Sequence, residues 1–133
     1  MSCLPVKPGK KGMIADVMTL EDPDSAVTLT AVELSEPKGM RLVDAFVVQN
    51  TEHGGLGMMY LDDPDELWAT RVPAEGARLD GDETWSIALV LERTGDAEGS
   101  AEGIDYTFTD SRGTQRHTHG GFRVRIGNED DPC

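Results

Sequence analysis

The chain has 133 residues, with 25 Asp and Glu against 12 Lys and Arg, for a net charge of −13. That length suits one domain with a single core. The charge speaks against a nucleic-acid binder, which needs a basic face, and against adsorption to an anionic membrane surface; it suits a basic protein partner or cations. No apolar run approaches the ~20 residues of a membrane span. Fifteen Gly and seven Pro scattered between short apolar runs point to an all-β chain with many turns.

Residues 1–11 read as a flexible linker or anchor-proximal segment, carrying Lys7, Lys10 and Lys11. No signal peptide is recognisable, and the abrupt start at Met1, Ser2 and Cys3 is expected of the soluble part of a longer, anchored chain. The two cysteines, Cys3 and Cys133, stand near the ends. Three readings are open: a pair joining the termini, a lipid-carrying Cys3, or two inert thiols.

The domain proper is placed at 12–127, with an acidic tail over 128–133. Residues 13–20 are a first strand and 26–34 a strong second one. Val27, Leu29 and Ala31 share one face of the latter, then Val32 and Leu34 take over; this phase change predicts a β-bulge near Thr30 and Ala31. Residues 40–49 form a third strand, apolar on both faces at Phe46, Val47 and Val48, and so expected to be central in its sheet. A Gly-rich loop with His53 leads to a short edge strand within 56–61.

One short helix is expected near residues 64–70. Asp63 is its N-cap, Pro64 opens the first turn, and Glu66 closes a capping box. Leu67 and Trp68 would cover the core. Residues 72–79 are irregular or a short strand.

The segment 84–91 is the strongest strand signal. Trp85, Ile87, Leu89 and Leu91 alternate with Thr84, Ser86 and Ala88, the pattern of a half-buried strand. Residues 95–103 read as a loop. Ile104, Tyr106 and Phe108 point inward along the next strand, Asp105, Thr107 and Thr109 outward. Asp110, Ser111, Arg112 and Gly113 make a hairpin turn. The return strand, 114–126, carries Phe122, Val124 and Ile126 inward, with a bulge or kink at Gly120 and Gly121. Seven or eight such strands predict an immunoglobulin-like antiparallel β-sandwich.

The entry Glu83, Thr84, Trp85 into an apolar strand, the small-residue loop 95–103, the strand Tyr106, Thr107, Phe108 and the polar hairpin back to Ile126 resemble a group of uncharacterised secreted or membrane-anchored actinobacterial proteins. Residues 27–34 and 42–48 fit as well, so the resemblance spans about 25–127. It implies an extracytoplasmic immunoglobulin-like domain. Met18, Met58, Met59, His53, His117 and His119 are also similar to the ligand types of periplasmic copper proteins of cupredoxin-like fold. The His-x-Met element of those proteins is replaced here by His117, Thr118, His119.

His117 and His119 are two apart on a strand, so their rings share a face and fit one Zn or Cu ion if His53 or Met58 supplies a third ligand. Two solvated histidines on an edge strand is the plainer reading. The acidic runs Asp62, Asp63, Asp65, Glu66 and Asp80, Asp82, Glu83 and the tail acids Glu129, Asp130, Asp131 lack EF-hand spacing. Capping explains the first and a turn the second. No Gly-x-Ser-x-Gly elbow, phosphate-binding loop or pKa-raising carboxylate pair is present. The chain is therefore expected to be no enzyme, with no catalytic residue, cofactor or resident metal. It is expected to be a binding or spacer module at the cell surface. A protein partner is possible, nucleic acid is not, and a membrane enters only through an anchor ahead of residue 1. The alternatives are a copper or zinc carrier and an acidic inhibitor of a basic partner.

Overall fold

The computed structural model describes residues 2–4, 11–20, 22, 24–50, 59–60, 66–94, 98–120 and 123–127. They form twelve strands: β1 (Ser2–Leu4), β2 (Lys11–Met18), β3 (Ala26–Ser35), β4 (Met40–Gln49), β5 (Met59–Tyr60), β6 (Val72–Pro73), β7 (Ala77–Asp80), β8 (Trp85–Arg93), β9 (Gly99–Ala101), β10 (Gly103–Asp110), β11 (Gln115–Gly120) and β12 (Val124–Ile126). One sheet runs β5-β2-β8-β4-β6, a second β11-β10-β3-β7, and a small third β1-β12-β9. Every pairing is antiparallel except that of β1 with β12. The fold is an all-β sandwich.

β8 lies at the middle of the five-stranded sheet, with β2 along one side and β4 along the other. Its Ile87, Leu89 and Leu91 face the second sheet. There they join Ile14, Leu29, Val47, Leu79, Ile104, Tyr106, Phe108, Val124 and Ile126 in one buried cluster. Each large side chain so buried stabilises the fold by about 1.5–3 kcal/mol. Trp85 is only partly buried against this cluster, and its Nε1 donates to the Asp80 carbonyl at 3.0 Å.

β8 is not half-buried. Ser86, Ala88 and Val90, on its other face, are buried too. Met13, Val48 and Ala88 make a second cluster there, packed against Ala15, Phe46 and Trp68. The Trp68 ring meets Phe46 edge-on at 5.3 Å, and the Arg71 guanidinium lies 4.6 Å from the Trp68 ring centre. Small residues at 86 and 88 therefore make room for a cover and do not face water. The same cover explains why Phe46 and Val48 of β4 are apolar; β4 is interior to its sheet, between β8 and, among the described residues, the two-residue β6.

The helix expected over 64–70 is a 3-10 turn, Glu66–Thr70. Asp63 and Pro64, and with them the N-cap, lie outside the described residues, as do the side chains of Glu66 and Leu67. Trp68 packs on the outer cluster and not on the main core.

The bulge expected near Thr30 is present. Ala31 pairs with Thr107 and Leu29 with Phe108, leaving Thr30 as the extra residue. Its Oγ1 donates to the Thr107 carbonyl at 3.0 Å. A second irregularity falls at Val43, between the pairs Leu42–Leu91 and Asp44–Val90; nothing in the apolar pattern announces it.

Three further segments differ from expectation. Residues 2–4, assigned to a linker, are strand β1, and Lys11 already opens β2. Residues 99–101, assigned to a loop, are β9. The return strand 114–126 is two strands in two sheets, β11 beside β10 and β12 between β1 and β9. The change of sheet falls between Gly120 and Val124, beside the glycine pair expected to kink it. β1 (Ser, Cys, Leu) and β9 (Gly, Ser, Ala) are too short to show an alternation; each is held by its pairing with β12.

Candidate functional site

The hairpin from β10 to β11 turns at Asp110. The Gly113 N–H donates to the Asp110 carbonyl at 3.0 Å, with Gly113 at φ +81°. The Asp110 carboxylate accepts the N–H groups of Arg112 and Thr114, both at 2.9 Å, and the Arg116 guanidinium at 3.2 Å. The Thr114 N–H, with the Arg112 N–H and the Arg116 charge, holds the Asp110 carboxyl below its usual range. The stability this anchoring contributes is present at neutral pH and is lost as pH falls through the lowered value.

Register then places residues outward from the turn. Thr107 faces His117, and Asp105 faces His119. On the far side of β10, Ala31 stands beside Thr107 and Glu33 beside Asp105. Glu33, Asp105 and His119 thus form a row across the outer face of three strands, with Ala31, Thr107 and His117 forming the next. The histidines share a face, as expected, and both are exposed. His117 Nδ1 lies 3.1 Å from Thr107 Oγ1, and His119 Nδ1 lies 2.5 Å from Asp105 Oδ1. The Asp105–His119 pair was open to sequence reasoning, because counting back from the hairpin turn gives it.

Gly103 closes this row. A Cβ there would stand 2.3 Å from the Gly120 carbonyl and 3.0 Å from the His119 ring. Only glycine lets the end of β11 approach so closely while the His119 ring lies over the strand. The shallow hollow over these residues measures about 530 Å³.

As a metal site the arrangement offers two imidazoles whose Nδ1 atoms are already engaged. His53 and Met58, named above as third ligands, lie outside the described residues. Among the described residues no three His, Cys, Asp or Glu side chains are grouped to hold an ion. The run Asp80, Asp82, Glu83 is a turn, as expected, closed by the Glu83 N–H on the Asp80 carbonyl at 3.3 Å. The Asp80 carboxylate takes the Arg78 guanidinium at 3.1 Å. The acids of 62–65 and 129–131 fall outside the described residues.

A second hollow, of about 420 Å³, lies where the two large sheets part. β7 pairs with β3 only as far as Leu29, where the Gly76 N–H donates to the Leu29 carbonyl at 2.7 Å. From there the chain runs back to β6 in the other sheet. Val32, Leu42 and Ala74 line the floor, and Glu33, Asp44 and Glu75 stand at the mouth. These acids are scattered in sequence, and only the point where β7 leaves β3 brings them together.

Between the sheets, Tyr106 is buried and its hydroxyl donates to Asp16 Oδ2 at 2.6 Å. Burial, then that hydrogen bond and the carboxylate's charge, push the Tyr106 hydroxyl far above its ordinary value. The hydroxyl bond ties β2 to β10, and Tyr106 also borders the hollow beneath His117 and His119. No model of a known protein family matches the chain, and none of the curated proteins compared with it matches.

Proposed function

We propose that the chain is a non-catalytic, extracytoplasmic domain of immunoglobulin-like type that holds a protein partner at the cell surface. The observation that carries the reading is the outer face of β3, β10 and β11. β11 is exposed along most of its length, and the polar side chains of Asp105, Thr107, His117 and His119 are tied to one another across regular strands. Recognition groups fixed on rigid strands bind with little ordering cost. The resemblance of residues 83–126 to secreted actinobacterial proteins supports the location, and the charge of −13 supports a partner with a basic surface.

A photoreactive residue placed at 117, in the cells that make the protein, tests this. One discrete, position-dependent protein adduct is expected from 117 and none from a control at exposed position 24. Identical adducts from both positions, or none from either, would count against a binding face there.

A further inference from the structure

The hollow between the sheets holds a strand edge that has no neighbour among the described residues. Beyond Leu29, β3 continues as Ala31, Val32, Glu33 and Leu34, in unbroken register with β10 on one side. On the other side β7 has ended. Alternate residues of a strand direct their N–H and C=O groups to opposite sides, so part of this backbone faces the hollow unpaired by a strand. The edge of β4 across the hollow is less regular, because Val43 interrupts its register. The floor is apolar: Val32 and Leu42 pack on the main core and Ala74 is buried. The mouth carries Glu33, Asp44 and Glu75, with no Lys or Arg among the lining residues. None of the three carboxylates has a cationic partner among the described residues.

We propose that this edge accepts an extended segment of a partner protein, added as a strand to β3 at residues 31–34, in which lysine or arginine alternates with small apolar residues. The inference rests on the binding-module reading and names the partner's chemistry. Main-chain hydrogen bonds to β3 hold the segment, and alternate side chains select it. A side chain opposite Glu33 shares the outer face with it, at cross-strand distance, where a cation is favoured. The next side chain along points inward to the apolar floor of Val32 and Leu42. Added here, the strand extends the line that β7 begins.

The probe is a synthetic eight-residue peptide alternating lysine and valine, titrated into the full chain with amide shifts as the readout. Shifts confined to residues 31–34, 42–45 and 74–75 are expected. The double variant Glu33→Gln/Glu75→Gln is expected to weaken binding about tenfold, while the charge-matched Asp24→Asn/Asp82→Asn leaves it unchanged. A peptide with alternate backbone nitrogens methylated is expected not to bind. Equal weakening by both double variants, undiminished binding of the methylated peptide, or shifts spread over the acidic surface would overturn the proposal. So would the absence of shifts at 31–34. If the peptide fails while position 117 still yields its discrete adduct, the strand-addition inference falls and the binding module stands. If the adduct fails while the peptide binds as described, the outer face falls and the β3 edge stands.

Discussion

Leu89→Ala is expected to destabilise the protein by about 3–5 kcal/mol, measured by urea unfolding. Leu89 has no exposure at all. It sits mid-strand, paired with Ile14 of β2 and Ala45 of β4, so neither neighbouring strand can move in to close the cavity without breaking its own ladder. Incomplete collapse is what puts a Leu→Ala change at the costly end of the range. Val90→Ala is the comparison. Val90 is also buried, yet it faces the smaller outer cluster, and losing two methyl groups there is expected to cost about 1–2 kcal/mol. A larger loss from Val90→Ala than from Leu89→Ala would mean that the main core lies on the other face of β8.

The second large effect is expected from Tyr106→Phe, and it depends on pH. At pH 8 the variant loses one hydrogen bond to the partly exposed Asp16 carboxylate. Water replaces part of it, so the loss belongs near the lower end of the ~1.5–3 kcal/mol for bonds to charged groups. In the unfolded chain tyrosine ionises near its ordinary 10.0, whereas burial and the Asp16 bond keep the folded Tyr106 protonated well above that. The unfolded state therefore releases a proton that the folded state retains. Stability from this group is fully present below pH 10 and falls as pH rises beyond it, by up to ~1.4 kcal/mol per pH unit. The phenylalanine variant lacks this loss, so the two stability curves are expected to converge between pH 10 and 11. Curves that stay parallel over that interval would show that Tyr106 ionises as readily in the fold as out of it.

Much of the sandwich is legible in the sequence, because period-2 patterns report which face is covered. Ile87, Leu89 and Leu91 identify β8. The passage of the apolar face from Val27 and Leu29 to Val32 and Leu34 identifies a bulge, and Asp110 with Gly113 identifies the hairpin that sets Asp105 opposite His119. Where cover comes from a distant segment, the pattern misleads. Ala88 and Ser86 look like solvent-facing residues, yet they are small because Phe46 and Trp68 occupy the space above that face. Residues 99–101 carry no alternation, since β9 is held by β12 and not by its own hydrophobicity. The edge of β3 is hidden for a different reason. It depends on where β7 turns away at Gly76, and Glu33 and Asp44 belong to two strands while Glu75 lies in the turn before β7.

Amide hydrogen exchange over the whole chain bears most directly on this picture, in which β8 is enclosed on every side and the second half of β3 has, among the described residues, a strand on one side alone. Amides of residues 87–91 are expected to exchange only through global unfolding. Along 31–34, amides directed at β10 are expected to be protected, and those directed at the hollow to exchange orders of magnitude faster. Uniform protection of 31–34 would mean that the edge is already occupied by the chain itself, and fast exchange within 87–91 would remove β8 from the centre of the fold.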